Sequence, residues 1–285
     1  MPELDAPDLN ALAAAAAAAL GAARDSEEFR TSSHRLAQFA EAIGDPAPVH
    51  RTGQVAPPTF AHIPVMQSMV EVIGHVTDGF ALHGEHDYLF HAPIVPGQRL
   101  FSRSCLTGVR TNAAGLLLHI TSDTRTHTGD AICTQVSTVL VTGRADPLSA
   151  GEGPPARTAA TGGPEMRDTF AISPDLTLAY AEAARDYSAY CLDPEAAALL
   201  GFDAPIVHGM LTLSLAASAI VAGYAGGDAR RLRRLGCRFS QPLFSRAGES
   251  LIVTRSMDGA GVVAFSATDG AGRAVLTRGY AEVSP

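Results

Sequence analysis

Apolar positions along the chain switch between two periods. Leu36, Phe39, Ala40 and Ile43 recur at helical spacing and predict a helix over Arg35–Ile43. Gly44 ends it, and Asp45-Pro46-Ala47-Pro48 forces an extended turn. The segment Ala56-Pro-Pro-Thr59-Phe-Ala-His-Ile-Pro64 leads into a second apolar helix, Val65 to Ile73. Alternation then takes over. It predicts strands over Asp87–Phe90, Leu100–Val109, Leu116–Asp123 and Ala131–Thr142, with Leu116, Leu118 and Ile120 on one face and Leu117 and His119 on the other. Gly97, Gly115 and Gly129 mark turns. Ahead of all this, the alanines from Ala13 to Ala19 favour a helix. Its apolar face is nearly all methyl, so the expectation is a frayed or loosely docked helix with no chemistry.

The pattern then repeats. Tyr180-Ala-Glu-Ala returns for Phe39-Ala-Glu-Ala, and Ala204-Pro205 before the apolar run Met210–Val221 returns for Ala56-Pro57. Ser240-Gln-Pro242 with Gly248 matches His91-Ala-Pro93 with Gly97. Gly272-Arg-Ala-Val-Leu-Thr matches Gly129-Asp-Ala-Ile-Cys-Thr. Only the second copy carries extra residues, Pro194 to Leu200, between its acid motif and its long helix. The stretch 144–166, rich in Pro, Gly, Ala and Thr, reads as a linker. The organisation is therefore an extension over 1–28, a first domain over 29–143, the linker, and a second domain over 167–285. Each domain pairs one long buried helix with several antiparallel strands, and a strongly bent sheet around the helix buries that pattern economically.

Composition narrows the function. The 285 residues carry a net charge of −8, which disfavours a general nucleic-acid role. There is no lysine, so a P-loop lysine, a Schiff-base lysine and a lysine base are all excluded. Cys105, Cys133, Cys191 and Cys237 show no paired spacing and read as reduced thiols in a cytoplasmic protein. No apolar run suggests a membrane span, and no secretory signal is expected. No Gly-rich nucleotide fingerprint and no Gly-x-Ser-x-Gly elbow occurs. His83, His86 and His91 are weak evidence for a metal, and none is expected. Arg230, Arg231, Arg233 and Arg234 suit either the phosphates of a carrier or a solvated strand end.

The candidate chemistry lies in Asp45-Pro46-Ala47-Pro48-Val49-His50. An acid and a base five residues apart on one loop can both reach one water. The copy Asp186-Tyr-Ser-Ala-Tyr-Cys191 keeps the acid and exchanges the imidazole for a thiol, with an ordinary pKa near 8.5 and a poor hold on water.

These motifs, with Ala204-Pro-Ile-Val-His-Gly-Met210 and Asp193-Pro-Glu-Ala-Ala197, resemble the MaoC-like (R)-specific enoyl-thioester hydratases and dehydratases over about residues 29–283. Ala56-Pro57-Pro58-Thr59-Phe60 is similar to the first half of double hot-dog members. The resemblance implies an α+β double hot-dog, two tandem repeats each with a long central helix inside a curved antiparallel sheet. It implies a lyase that adds water to a 2-enoyl thioester or removes it from a 3-hydroxyacyl thioester. The substrate rides on coenzyme A or phosphopantetheine, with no other cofactor. An acyl carrier protein is a candidate partner, and neither nucleic acid nor membrane is implied. One chain, or a homodimer, is the working unit.

On this reading Asp45 and His50 are catalytic, and backbone near Thr59 and Phe60 binds the thioester oxygen. Asp186, Tyr190, Cys191, His208 and Gly209 shape the substrate site. The family's Asn is Ala47 in the first copy and Ser188 in the second. These departures leave two alternatives open: an isomerase or cyclase acting on a polyketide-like chain, or a non-catalytic partner subunit.

Overall fold

Two runs of elements follow one another in nearly the same order. The computed structural model describes residues 8–77, 81–157 and 162–284. In the first run, α1 (Leu9–Ala18) precedes short strands β1 (Ala23–Asp25) and β2 (Phe29–Arg30). Next come α2 (Ser33–Ala42), the single turn α3 (Pro48–Arg51), a 3-10 stretch Pro58–Val65 and α4 (Met66–Gly74). Strands β3 (Leu82–Phe90), β4 (Arg99–Asn112), β5 (Gly115–Thr126) and β6 (Ala131–Thr142) follow, then β7 (Ser149–Gly151). The second run has β8 (Met166–Ile172), α5 (Pro174–Ala184), α6 (Ala189–Leu192), α7 (Pro194–Leu199) and α8 (Gly209–Tyr224). Strands β9 (Leu232–Phe239), β10 (Glu249–Met257), β11 (Val262–Asp269) and β12 (Ala274–Val283) complete it.

The strands form one sheet in the order β1-β4-β5-β6-β3-β9-β12-β11-β10-β8. Its halves meet where β3 pairs antiparallel with β9, Asp87 opposite Gly236. This is a double hot-dog. Matching elements start alike: Ser32 accepts the Arg35 N–H at 3.3 Å to open α2, and Ser173 accepts that of Leu176 at 3.2 Å to open α5. Gly236 is needed at the seam, because a Cβ there would lie 2.6 Å from Asp87 Oδ2.

The central helices differ. In α8 every residue from Met210 to Val221 is buried, and it packs with Leu235, Leu251, Val263 and Leu276 in one core. Its counterpart is broken. Pro58 opens the 3-10 stretch and Pro64 lies inside it, so regular α-helix begins only at Met66. Met69 and Val72 of α4 join a separate core with Leu106, Val109, Leu116 and Leu118.

Two expectations are corrected. The N-terminal helix is not loosely docked: Leu9, Ala13 and Ala16 are buried in that separate core. Its seat exists because β4 and β5 run to 14 and 12 residues, against 9 and 8 for β10 and β11. Asn10 fixes it by donating to Asp146 at 3.1 Å and accepting the Asp146 N–H at 2.7 Å. The stretch 144–166 also carries structure. Ser149–Gly151 pairs with β4, and Arg157 braces the seam by donating to Asp87 at 3.1 Å and to the carbonyl of His86 at 3.3 Å. Residues 158–161 of that stretch lie outside the described residues.

Candidate active site

Each half builds the same loop around its acid. Gly44, at φ 63, turns the chain out of α2, and the Asp45 N–H bonds back to the Ala40 carbonyl at 2.9 Å. Asp45 Oδ1 accepts the Ala47 N–H at 2.8 Å, and Pro48 starts the turn that carries His50. In the second half Arg185 takes the left-handed position at φ 57, and the Asp186 N–H reaches the Ala181 carbonyl at 3.0 Å. Asp186 Oδ1 accepts the Ser188 N–H at 3.2 Å and its hydroxyl at 2.6 Å. Ser188 thus does for Asp186 what the Ala47 amide does for Asp45, with a side-chain donor added.

The first-half pair is formed but sealed. His50 Nδ1 lies 3.0 Å from Asp45 Oδ2, and the two residues are 0% and 2% exposed. His50 Nε2 accepts the Ala229 N–H at 3.4 Å, which places the ring proton on Nδ1, toward Asp45. The nearby cavity is only about 40 Å³, room for a few waters. Pro57, Pro58, Ala229 and Arg230 line it, and neither Asp45 nor His50 does.

The structure places Thr59 and Phe60, the expected first-half thioester site, in packed surroundings. Both are buried, and neither lines the 40 Å³ cavity or either of the other two cavities described below. The Thr59 hydroxyl bonds Ser214 of α8 at 2.6 Å, and the Phe60 ring packs edge-on against Phe39. Pro57 and Pro58 have no N–H, and the Phe60 N–H is spent on the Pro57 carbonyl at 3.1 Å. This helix end has few donors to offer.

The second half has the room. A cavity of about 300 Å³ lies between α4 and the start of α8. It brings together five of the expected residues: Asp186, Tyr190, Cys191, His208 and Gly209. Met66, Met69, Val70 and Ile73 supply an apolar wall from the first half. The size suits a small acyl ligand. The first intrahelical bond of α8 is Thr212 N–H to the His208 carbonyl, so the amides of Gly209, Met210 and Leu211 have no acceptor within the helix. That end also carries the helix's partial positive charge. A third depression, between α2 and α5, is polar and open, lined by Arg35, Glu41, Asp175 and Glu182.

Within the 300 Å³ cavity, burial first and the Asp186 charge second push the Cys191 thiol well up, so it stays protonated. His208 Nε2–H donates to the Asp186 carbonyl at 3.0 Å. Burial lowers the His208 pKa against the pull of Asp186, and its Nδ1 is buried without a partner. His62 and His83 also line the cavity. Sequence analysis missed His62; its one signal was a lone imidazole inside an apolar segment. The arginines divide: Arg230 pairs with Asp228 at 2.6 Å, Arg234 with Asp87 at 2.9 Å, and Arg233 lies exposed at the small cavity.

Comparisons with known proteins bear on the family and the fold. The MaoC-like domain matches residues 156–260, and the FAS1-like dehydratase domain region matches residues 18–135. The chain is 27% identical over 256 residues to a peroxisomal enoyl-CoA hydratase 2 of Arabidopsis thaliana, covering 82% of this chain and 80% of the relative. It is 27% identical over 243 residues to 3-hydroxyacyl-thioester dehydratase Y of Mycobacterium tuberculosis, covering 82% and 83%. Its fold superimposes on a MaoC-like dehydratase from Phytophthora capsici with a TM-score of 0.81 at 23% identity, over 95% of this chain and 97% of the other.

Proposed function

Because the chain belongs to the MaoC-like dehydratases, a family of hydro-lyases, we propose that it interconverts 2-enoyl and (R)-3-hydroxyacyl thioesters in the cavity beside α8. One observation carries the choice of site: Asp186 and the donor-rich start of α8 meet in a partly apolar space of about 300 Å³. The thioester carbonyl accepts from the amides at Gly209 and Met210. The acyl chain runs along Met66, Met69 and Ile73. Asp186 holds the water that adds to the β-carbon. As the oxygen adds, charge develops on the carbonyl oxygen, where the fixed amides and helix end stabilise it without reorganising. Coenzyme A or phosphopantetheine carries the acyl group, and no further cofactor is invoked.

Both halves contribute walls to this cavity, so a single chain is the working unit. No helix among the described residues is long and apolar enough to cross a membrane. Four free cysteines suit a reducing compartment, and we place the protein in the cytoplasm.

A second reading puts the chemistry at Asp45 and His50. Their 3.0 Å contact and the resulting tautomer favour it. Hydration of crotonyl-coenzyme A separates the two. With the site beside α8, Asp186→Asn lowers kcat by roughly 10²–10⁴, the usual span for a positioned acid–base group. His50→Ala then leaves kcat per folded molecule near that of the wild type, while removal of a buried, bonded ring costs about 2–4 kcal/mol of stability in urea titrations. The opposite pattern moves the chemistry to the first half.

A further inference from the structure

The second half keeps its acid and its helix end but has lost its imidazole to Cys191, a thiol held protonated. Four buried side-chain polar atoms among the described residues have no partner: Tyr88 Oη, His119 Nε2, His208 Nδ1 and His62 Nδ1. Only the two from His62 and His208 belong to walls of the 300 Å³ cavity. A buried polar atom without a partner is costly, and at a cavity wall a bound ligand or water can satisfy it.

His62 comes from the first half, on the 3-10 stretch before α4, and is 5% exposed. The backbone beside it is held in place. Gln135 Nε2 donates to the carbonyl of Ala61, the preceding residue, at 2.7 Å. Gln135 Oε1 must then be an acceptor, and His86 Nε2–H donates to it at 3.2 Å. His86 Nδ1 is left as an acceptor, 3.0 Å from His83 Nε2 and 3.1 Å from the Ser137 hydroxyl. His83 and His86 are therefore committed to this chain of bonds. The His62 ring lies against them, with centroids 5.8 and 5.3 Å away, and its Nδ1 is left over. Asp186 is near enough for its charge to oppose the effect of burial on this ring.

We propose that His62 supplies, across the joint between the halves, the imidazole that Cys191 no longer provides. This rests on the reading that the cavity beside α8 hosts the thioester. In hydration, His62 Nδ1 takes a proton from the water held by Asp186, and the oxygen bonds to the β-carbon. The alkene electron pair moves onto the α-carbon and carbonyl, and the α-carbon then receives the proton back from the imidazolium. Dehydration runs the same transfers in reverse, with hydroxide leaving as water, so no other reactant is needed. His208 is less suited to the task. It caps α8, and the positive end of that helix opposes the imidazolium a base must become.

The test is crotonyl-coenzyme A hydration by the full chain and by His62→Gln, Cys191→His and the double variant. His62→Gln is expected to lower kcat by roughly 10²–10⁴, with KM changed by less than about threefold. Cys191→His in that background restores the family arrangement and is expected to recover at least about tenfold of the loss. If His62→Gln does not fold, as judged by circular dichroism, His62→Asn takes its place. A His62 variant that keeps more than about a third of wild-type kcat overturns the proposal. So does a loss that Cys191→His leaves unrescued, or one that appears in His208→Gln alone. Each of these leaves thioester hydration in place. A wild-type chain that turns over no enoyl thioester overturns the functional reading itself, and His62 with it.

Discussion

The start of α8 and the start of the first-half helix occupy matching places and offer a ligand opposite things. In the second half, helical geometry begins at Gly209 and leaves three amides without helix acceptors. In the first, Pro57 and Pro58 remove two N–H groups and the Phe60 amide closes a 3-10 turn on Pro57. The same contrast governs space: about 300 Å³ at one end against 40 Å³ at the other. An intact acid–imidazole pair has survived where there is little room and few donors, and the pair has decayed where both are ample. Duplication allows this. One copy's loop can keep its residues for stability while the other's cavity keeps the substrate.

The sharpest way to break this contrast is to make α8 start as the first-half helix does. Gly209→Pro removes one amide hydrogen at the first helical position, where proline is otherwise tolerated. We expect a loss of roughly 10²–10³ in kcat for crotonyl-coenzyme A, the usual cost of one oxyanion donor, with the fold intact by circular dichroism. Undiminished turnover would mean that the carbonyl binds elsewhere.

Acid should find the first half before the second. Burial lowers the pKa of His62 to about 4, of His83 to about 3 and of His119 to about 4, and holds that of His86 well below its ordinary value; all four belong to the first half. In the second half only His208 shows such a lowering. Each ring is neutral when folded and takes its proton near pH 6.5 when unfolded. The stability they confer is thus fully present above about pH 6.5 and is lost as pH falls toward 4 and then 3. A single ring lowered this far accounts for on the order of 3 kcal/mol. Urea midpoints should fall steadily over that range, and hydrogen exchange should show β3–β6 amides losing protection ahead of those in β9–β12. Simultaneous loss in both halves would contradict the asymmetry.

The smallest effect concerns the loops themselves. Gly44 and Arg185 hold equivalent left-handed positions, and the arginine is exposed. Arg185→Gly should stabilise the chain by about 1 kcal/mol, read from urea unfolding, because a residue with a Cβ is strained there. Loss of stability instead would show that the Arg185 side chain contributes contacts of its own.

Much of this was legible along the chain. The repeat showed because local spacing is copied with the element: the apolar stripe of α2, the left-handed exit, the acid, then the short turn. The exchange of His50 for Cys191 could be read from the motifs alone. The expectation of donors near Thr59 and Phe60 follows from the position of the helix, and the prolines beside them count against it. Pro57, Pro58 and Pro64 were in view, and their missing amides were the signal. The docking of α1 had no local signal. Alanine methyls bury usefully only because β4 and β5 extend far enough to receive them.

The amino-acid sequence by itself determined two copies of one folded unit, their resemblance to the MaoC-like dehydratases, and which copy lost its imidazole. Each of these is written in spacings of a few residues, where backbone geometry and side-chain type decide the outcome. Only the tertiary structure decided which acid loop borders the larger of these two cavities and that His62 of one half lines that cavity with the acid loop of the other. Those residues lie more than a hundred positions apart. The β3–β9 pairing and the packing of α8 against the 3-10 stretch bring them together, and no short-range pattern records that contact.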